Sequence, residues 1–181
     1  VANRTRAVFR HQLGREPNDE EWRQLSKENG LKGGIALFNI AYGYESLGKG
    51  VYTTYQEDKA IPHSVKVISA PGVINPALFN PELAGYKYRG RGNIQITFKE
   101  NYRKTAALAG LDVQQIVDNP DLLITNPEIG VLMNAARTKG SYNKTSNNLQ
   151  KRGLSGNPNN LLDGIKFMAM LAGGGGGNPN H

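Results

Sequence analysis

The chain has 181 residues, 38% of them apolar, a formal net charge of +7 and no cysteine. That length suffices for one well-filled core, and the lack of cysteine excludes disulfides, thiolate metal sites and a thiol nucleophile. No run of about 18 apolar residues exists to cross a membrane as a helix, and the positive charge fits polyanionic partners: nucleic acid, acidic lipid, or the anionic envelope and murein of bacteria.

Ala2 to Leu13 sets Val8, Phe9 and Leu13 on one side and Arg4, Arg6 and Arg10 elsewhere, which predicts a short amphipathic helix ending at Gly14. Asn18 or Asp19 caps a second helix with Glu20 and Glu21 in its first turn. Gly30 stops it, and Trp22 is the expected buried anchor of the resulting hairpin. Leu31 to Leu47 forms a third, apolar helix. From Gly48 to Pro81, glycines and prolines interrupt every periodic pattern. This predicts an irregular loop with at most short strands, such as Val65 to Ile68, and long loops of this kind are often functional.

Asn80-Pro81-Glu82-Leu83 reads as the cap and first turn of a brief helix. Lys99 to Ala109 is helical and stops at Gly110, Asn119-Pro120 breaks the chain, and Asn126-Pro127-Glu128 starts a helix running to Gly140. Ser141 to Asn160 reads as a polar surface turn with one helical piece near Leu149. Leu161 to Leu171 is the last apolar helix, and Gly173 to Gly177 a flexible tail or mobile loop. The expectation is a single mainly α domain over residues 1–181, with 1–30 a candidate helical-hairpin extension. A start at Val1 with neither methionine nor signal peptide suggests a processed product or an excised piece.

The chemistry concentrates in Tyr86 to Tyr102. Gly85, Gly90 and Gly92 permit close backbone approach, Arg89 and Arg91 supply planar donors, and Gln95, Thr97 and Asn101 add amide and hydroxyl groups. Together with tyrosines on which flat ring faces stack, this mixture suits a sugar chain. Arg89 and Arg91 either contact the sugar or shape the cleft through a structural ion pair or helix-end contact. Tyr42, Tyr44, Tyr52 and Tyr55 either line a cleft or serve core or rim packing.

Glu45 ends the apolar third helix, where desolvation and the negative helix end favour the neutral, proton-donating carboxyl. Such a group suits protonation of a glycosidic oxygen. His11, His63 and His181 lack ligand spacing, so neither a metal nor a cofactor is expected. Gly90-x-Gly92 lacks the Gly-Lys-Ser/Thr ending of a phosphate loop.

The run Tyr88-Arg89-Gly90-Arg91-Gly92-Asn93-Ile94-Gln95-Ile96-Thr97, then Asn101-Tyr102, resembles the Y-x-G-R-G-x-I-Q-L-[ST] and N-Y signature of glycoside hydrolase family 19, which holds chitinases and phage endolysins. Leu108 to Asp121 is similar to a stretch of the bacterial and phage branch, and Tyr44-Glu45-Ser46 occupies the place of that family's H-E-S. The resemblance runs from about Ile35 to Leu123. Tyr44 stands for a histidine, Leu47 for a glycine, Val131 to Ala136 for an aromatic-rich helix, and Gly173 to Asn178 for an asparagine motif.

The resemblance implies a lysozyme-like helical domain with an irregular, loop-rich cleft, hydrolysing β-1,4-linked amino sugars with inversion. Inversion needs two carboxyl groups roughly 6.5–9.5 Å apart, with water between them. By the same carry-over Glu45 is the general acid, Glu57 the base with Asp58 its competitor, and Thr97 a holder of the attacking water. Tyr44, Tyr88, Arg89, Arg91, Gln95, Asn101 and Tyr102 are the matching substrate-binding positions.

The implied enzyme is a murein hydrolase acting on the bacterial cell wall, phage-encoded and released at lysis, virion-associated, or secreted. It would be a monomeric domain, alone or within a larger phage protein, with peptidoglycan as partner and no nucleic acid. The alternatives are a lytic transglycosylase using a single glutamate, a true chitinase, and a non-catalytic glycan-binding module of a phage tail. A nucleic-acid role rests on charge alone.

Overall fold

The computed structural model describes residues 1–44, 61, 62 and 64–151. The fold is mainly α. The described residues group into two compact units: Val1–Arg91 with Gln95–Tyr102, and Gly92–Ile94 with the described residues from Arg103 onward.

In the first unit, helix α1 (Ala2–Leu13) buries Val8 and Phe9 and is closed by Gly14 in the left-handed conformation, φ 69°, with its N–H on the Arg10 carbonyl. Helix α2 (Asp19–Leu25) opens on a capping box. The Asn18 side chain accepts the Glu21 N–H at 2.9 Å and the Glu21 carboxylate accepts the Asn18 N–H at 2.8 Å. That wholly buried carboxylate also takes Arg15 in a two-pronged ion pair at 2.7 and 2.6 Å. Arg15, and then the Asn18 N–H, hold the Glu21 carboxyl below its ordinary range against the opposing effect of burial.

Helix α2 ends at Leu25, not Gly30, because Ser26 turns extended and a 3₁₀ turn over Lys27–Asn29 intervenes. Gly30, at φ 57°, instead opens α3 (Gly30–Gly43). Gly33 lets α3 lie directly against the Ser26 carbonyl. The buried anchor of α2 is Leu25, while Trp22 is half-buried with the Arg6 guanidinium 5.6 Å from its ring centre. Helix α3 stops at Gly43, short of Leu47, because Tyr44 adopts an extended conformation and forms a parallel bridge with Ile61.

Two short strands, β1 (Ile68–Ala70) and β2 (Val73–Ile74), pair antiparallel with Ile68 opposite Ile74 and turn through Gly72 at φ 73°. Gln12 and Gln24 moor this hairpin. Val67 N–H donates to Gln12 at 2.8 Å, Gln24 donates to the Gly72 carbonyl at 2.6 Å, and Ile74 N–H donates to Gln24 at 3.0 Å. After a 3₁₀ turn over Pro76–Phe79, Asn80 caps only a turn, and α4 (Ala84–Lys87) starts later than Asn80-Pro81 predicts.

The core joins Val8 and Phe9 of α1, Leu25 of α2, Ala36 and Ile40 of α3, and Val67, Ile74 and Leu78. Residues 1–30 therefore supply core side chains.

Helix α5 (Lys99–Leu108) starts in the first unit and ends in the second, which also holds α6 (Val113–Asp118), α7 (Leu122–Thr125) and α8 (Pro127–Lys151). A Cβ at Gly130 would lie 2.8 Å from the Leu123 carbonyl, so glycine allows α7 and α8 to touch. Helix α8 runs on through residues 141–151, where the sequence predicts a polar turn with one helical piece near Leu149. A single helical glycine such as Gly140 costs about 1 kcal/mol, too little to end a long helix without a proline behind it. No helix among the described residues is long and apolar enough to cross a membrane.

Candidate functional site

The 86–102 segment is held on α3 by one buried amide and one glycine. Asn39, wholly buried in α3, donates to the Leu78 and Asn80 carbonyls at 2.9 Å each and accepts the Tyr86 N–H at 2.8 Å. Gly85 lies so close to α3 that an added Cβ would meet the Phe38 carbonyl oxygen at 2.7 Å. The chain then closes a small hairpin, in which Arg91 and Ile96 exchange backbone hydrogen bonds at 3.1 and 2.9 Å. Phe98 N–H returns to the Tyr88 carbonyl at 2.8 Å.

Inside this loop the Arg91 guanidinium, 4% exposed, donates to the Lys87 carbonyl at 2.7 Å, the Arg89 carbonyl at 3.1 Å and the Tyr102 hydroxyl at 3.1 Å. The Tyr102 hydroxyl donates onward to the Arg89 carbonyl at 2.8 Å. Arg91 and Tyr102 thus form a charge-assisted clasp that fixes the loop from within.

Over this clasp sits a polar cluster. A Cβ on Gly90 would lie 2.6 Å from Gln95 Oε1 and 3.1 Å from Thr97 Oγ1, so both side chains converge above a bare backbone. The Thr97 hydroxyl donates to the Gln95 carbonyl at 3.0 Å, and Asn101 donates to the Thr97 carbonyl at 2.8 Å. With its one proton committed, Thr97 presents lone pairs, and can accept a hydrogen bond from water or a sugar hydroxyl. Asn101 keeps a second N–H and its carbonyl. Gln95, exposed, is held at φ 50°, and Phe98 at φ 86°. Two non-glycine residues in the left-handed region cost about 1–3 kcal/mol each and cluster at functional sites.

Four of the predicted sugar contacts belong instead to the framework. Tyr44 and Tyr102 are wholly buried, Tyr88 is 8% exposed and Arg91 is 4% exposed. The Tyr44 hydroxyl is kept protonated by burial, its pKa raised well above that of an ordinary phenol. Gln12 offsets part of this without an aligned hydrogen bond. Tyr88 packs its ring against Tyr102 at 6.0 Å.

Arg89 is half-buried, stacks on Tyr86 at 4.1 Å and donates to the Tyr86 carbonyl. The glycines also serve internal packing: Gly85 against α3, Gly90 beneath Gln95, and, within the second unit, Gly92 at φ 70° beside Asn134. Glu45, Glu57, Asp58, Tyr52, Tyr55, His63 and the Leu161 to Leu171 helix lie outside the described residues.

Sequence reasoning missed Asn39 and Phe98. Asn39 carried a signal, since it falls on the face of α3 that buries Ala36, Ile40 and Gly43, where a polar group must find partners. Phe98 carried none, because nothing in its local sequence announces a positive φ. An open cavity of about 470 Å³, bounded by Ile61, Pro62, Val65, Ala77, Phe79 and Leu83 among others, includes none of the predicted site residues.

Compared with protein-family models, with curated proteins and with solved structures, the chain matches none of them.

Proposed function

We propose that the protein is a glycoside hydrolase that cuts β-1,4 bonds between amino sugars of bacterial peptidoglycan, with inversion. The observation that carries this reading is the convergence of Gln95 and Thr97 over Gly90, with Asn101 bonded to the Thr97 carbonyl, on a strained loop clasped by Arg91 and Tyr102. Such a surface matches the alternating hydroxyl and acetamido groups of an amino-sugar chain. It lies within the segment that resembles the glycoside hydrolase family 19 signature.

On that resemblance Glu45 protonates the leaving oxygen while Glu57, or its neighbour Asp58, draws a proton from water on the opposite face of the ring. Thr97, its hydroxyl proton held by the Gln95 carbonyl, accepts a hydrogen bond from that water and directs a lone pair toward the anomeric carbon. Gln95 and Asn101 orient the sugar. No cofactor is required.

The test is release of reducing sugar from purified murein by the wild type and by Glu45→Gln. The wild type should release it, and the variant should lose at least about 100-fold, the usual contribution of a general acid. Equal activity in the two proteins would defeat the acid assignment. No release by wild type, with murein still bound, would make this a glycan-binding module.

A further inference from the structure

We propose that Phe98 is a positioning residue for the reaction: its ring holds a left-handed backbone turn that fixes Thr97 relative to Asn101. This rests on the hydrolase reading above, in which Thr97 holds the attacking water. All the residues concerned lie in the first unit.

A bulky residue at positive φ is an outlier, and Phe98 stands at φ 86° where the chain enters α5. Its carbonyl accepts the Tyr102 N–H at 3.0 Å, the first hydrogen bond of that helix. Short polar residues or glycine are preferred in this place, the former because a side-chain oxygen can take an N–H of the first turn. Phenylalanine supplies neither that oxygen nor glycine's freedom, so its purpose lies in the ring.

The turn matters through the peptide unit shared by Thr97 and Phe98, which is planar and moves as one. The N–H of this unit donates to the Tyr88 carbonyl at 2.8 Å, and its C=O accepts the Asn101 amide at 2.8 Å. The φ angle of Phe98 is the rotation between this unit and the start of α5, which carries Asn101. Relaxation to negative φ turns the unit against the helix and breaks one of the two bonds. Thr97, whose hydroxyl is aimed by the Gln95 carbonyl at 3.0 Å, then parts from Asn101.

The half-buried ring opposes that relaxation. It meets Tyr42 of α3 edge-on at 5.7 Å, and the Arg4 guanidinium stands 5.9 Å from its centre and 4.4 Å from that of Tyr42. Packing against α3 thus maintains a conformation that the residue type disfavours, next to the hydroxyl assigned to the water.

The experiment is steady-state hydrolysis of soluble murein glycan strands by the full chain, with urea midpoints followed at Trp22. Phe98→Ala, which has neither the ring nor an easy left-handed conformation, should lower kcat about tenfold and leave KM within about twofold. Phe98→Gly adopts φ 86° without strain, so it should fall between Phe98→Ala and wild type in kcat and unfold at higher urea than Phe98→Ala. A purely apolar packing role predicts the reverse order, because glycine is ordinarily the less stable of the two. Phe98→Tyr, which keeps the ring, should hold kcat within about twofold of wild type. In a Thr97→Val background, Phe98→Ala should cost no more than about twofold further, since both changes act on one group. Should Phe98→Ala fail to fold, Phe98→Gly in the two backgrounds completes the same cycle.

A raised KM at unchanged kcat, an undiminished loss in the Thr97→Val background, or Phe98→Ala exceeding Phe98→Gly in midpoint and kcat overturns the proposal. Wild-type kcat in Phe98→Ala also overturns it and leaves the hydrolase reading standing. A wild type that releases no reducing sugar defeats both.

Discussion

Replacing Gly85 by alanine places a methyl carbon 2.7 Å from the Phe38 carbonyl oxygen, 2.8 Å from Asn39 Cα and 2.8 Å from Gly43 N. All three are backbone atoms of α3, so none can swing aside, and non-bonded heavy atoms prefer about 3.5–4.0 Å. Helix α4 must therefore withdraw by roughly 0.7 Å or more, which pulls the Tyr86 N–H off its 2.8 Å bond to Asn39.

Overpacking of this kind costs about 1–3 kcal/mol, and the weakened buried hydrogen bond about 1 kcal/mol more. With a urea slope of about 2 kcal/mol per molar, the unfolding midpoint should drop by roughly 1–2 M. Trp22 is the only tryptophan and lies in the first unit, so its fluorescence reports that unit's unfolding. A midpoint within about 0.25 M of wild type would refute the close α3–α4 contact, since that shift is worth only about 0.5 kcal/mol.

Gly90→Ala differs in kind, because its nearest atom is the movable end of Gln95 at 2.6 Å. The urea midpoint should change by less than about 0.5 M while glycan affinity falls about tenfold; unchanged affinity by titration would remove Gln95 from the sugar site. Thr97→Val keeps the shape and removes the hydroxyl. It should lower murein turnover about 10- to 100-fold with little change in melting temperature, whereas Thr97→Ser should recover most of it; full activity in the valine variant would free the water from Thr97.

Glu21→Gln should cost about 1–3 kcal/mol at neutral pH in a urea titration. The folded-state pKa of Glu21 is depressed, first by Arg15 and then by the Asn18 N–H. Its stabilisation is therefore complete above about pH 4.3, the unfolded value, and is lost as pH falls through the lower folded value. The variant's stability should fall less steeply in acid than the wild type's; parallel acid limbs would contradict that assignment.

Much of the fold is legible where a local rule decides it. Gly14 and Asn18 carry their cap chemistry in residue type alone, and α1 and α3 follow their apolar periodicity. The boundaries that differ are set by partners distant in sequence. Tyr44 leaves the helix because Ile61 bridges it, and the Asn80 carbonyl accepts a hydrogen bond from the Asn39 amide instead of starting a helix.

The site shows the same division. Gln95, Thr97 and Asn101 are recognisable as polar groups suited to a sugar, and the structure brings them together. Tyr44, Tyr88, Arg91 and Tyr102 have the same residue chemistry, but burial turns it inward, and residue type does not reveal which way a side chain faces. Asn39, whose three hydrogen bonds tie Leu78, Asn80 and Tyr86 to α3, resembles any helical asparagine until its buried neighbours on α3 are counted.

The most direct measurement is mass spectrometry, with proton NMR of the nascent reducing ends, on purified murein digested by the full chain. Inverting hydrolysis of β-1,4 bonds predicts hydrated reducing ends released first as the α anomer, and their loss in Glu45→Gln. Nascent β anomers, 1,6-anhydro ends, or murein that stays intact would contradict it.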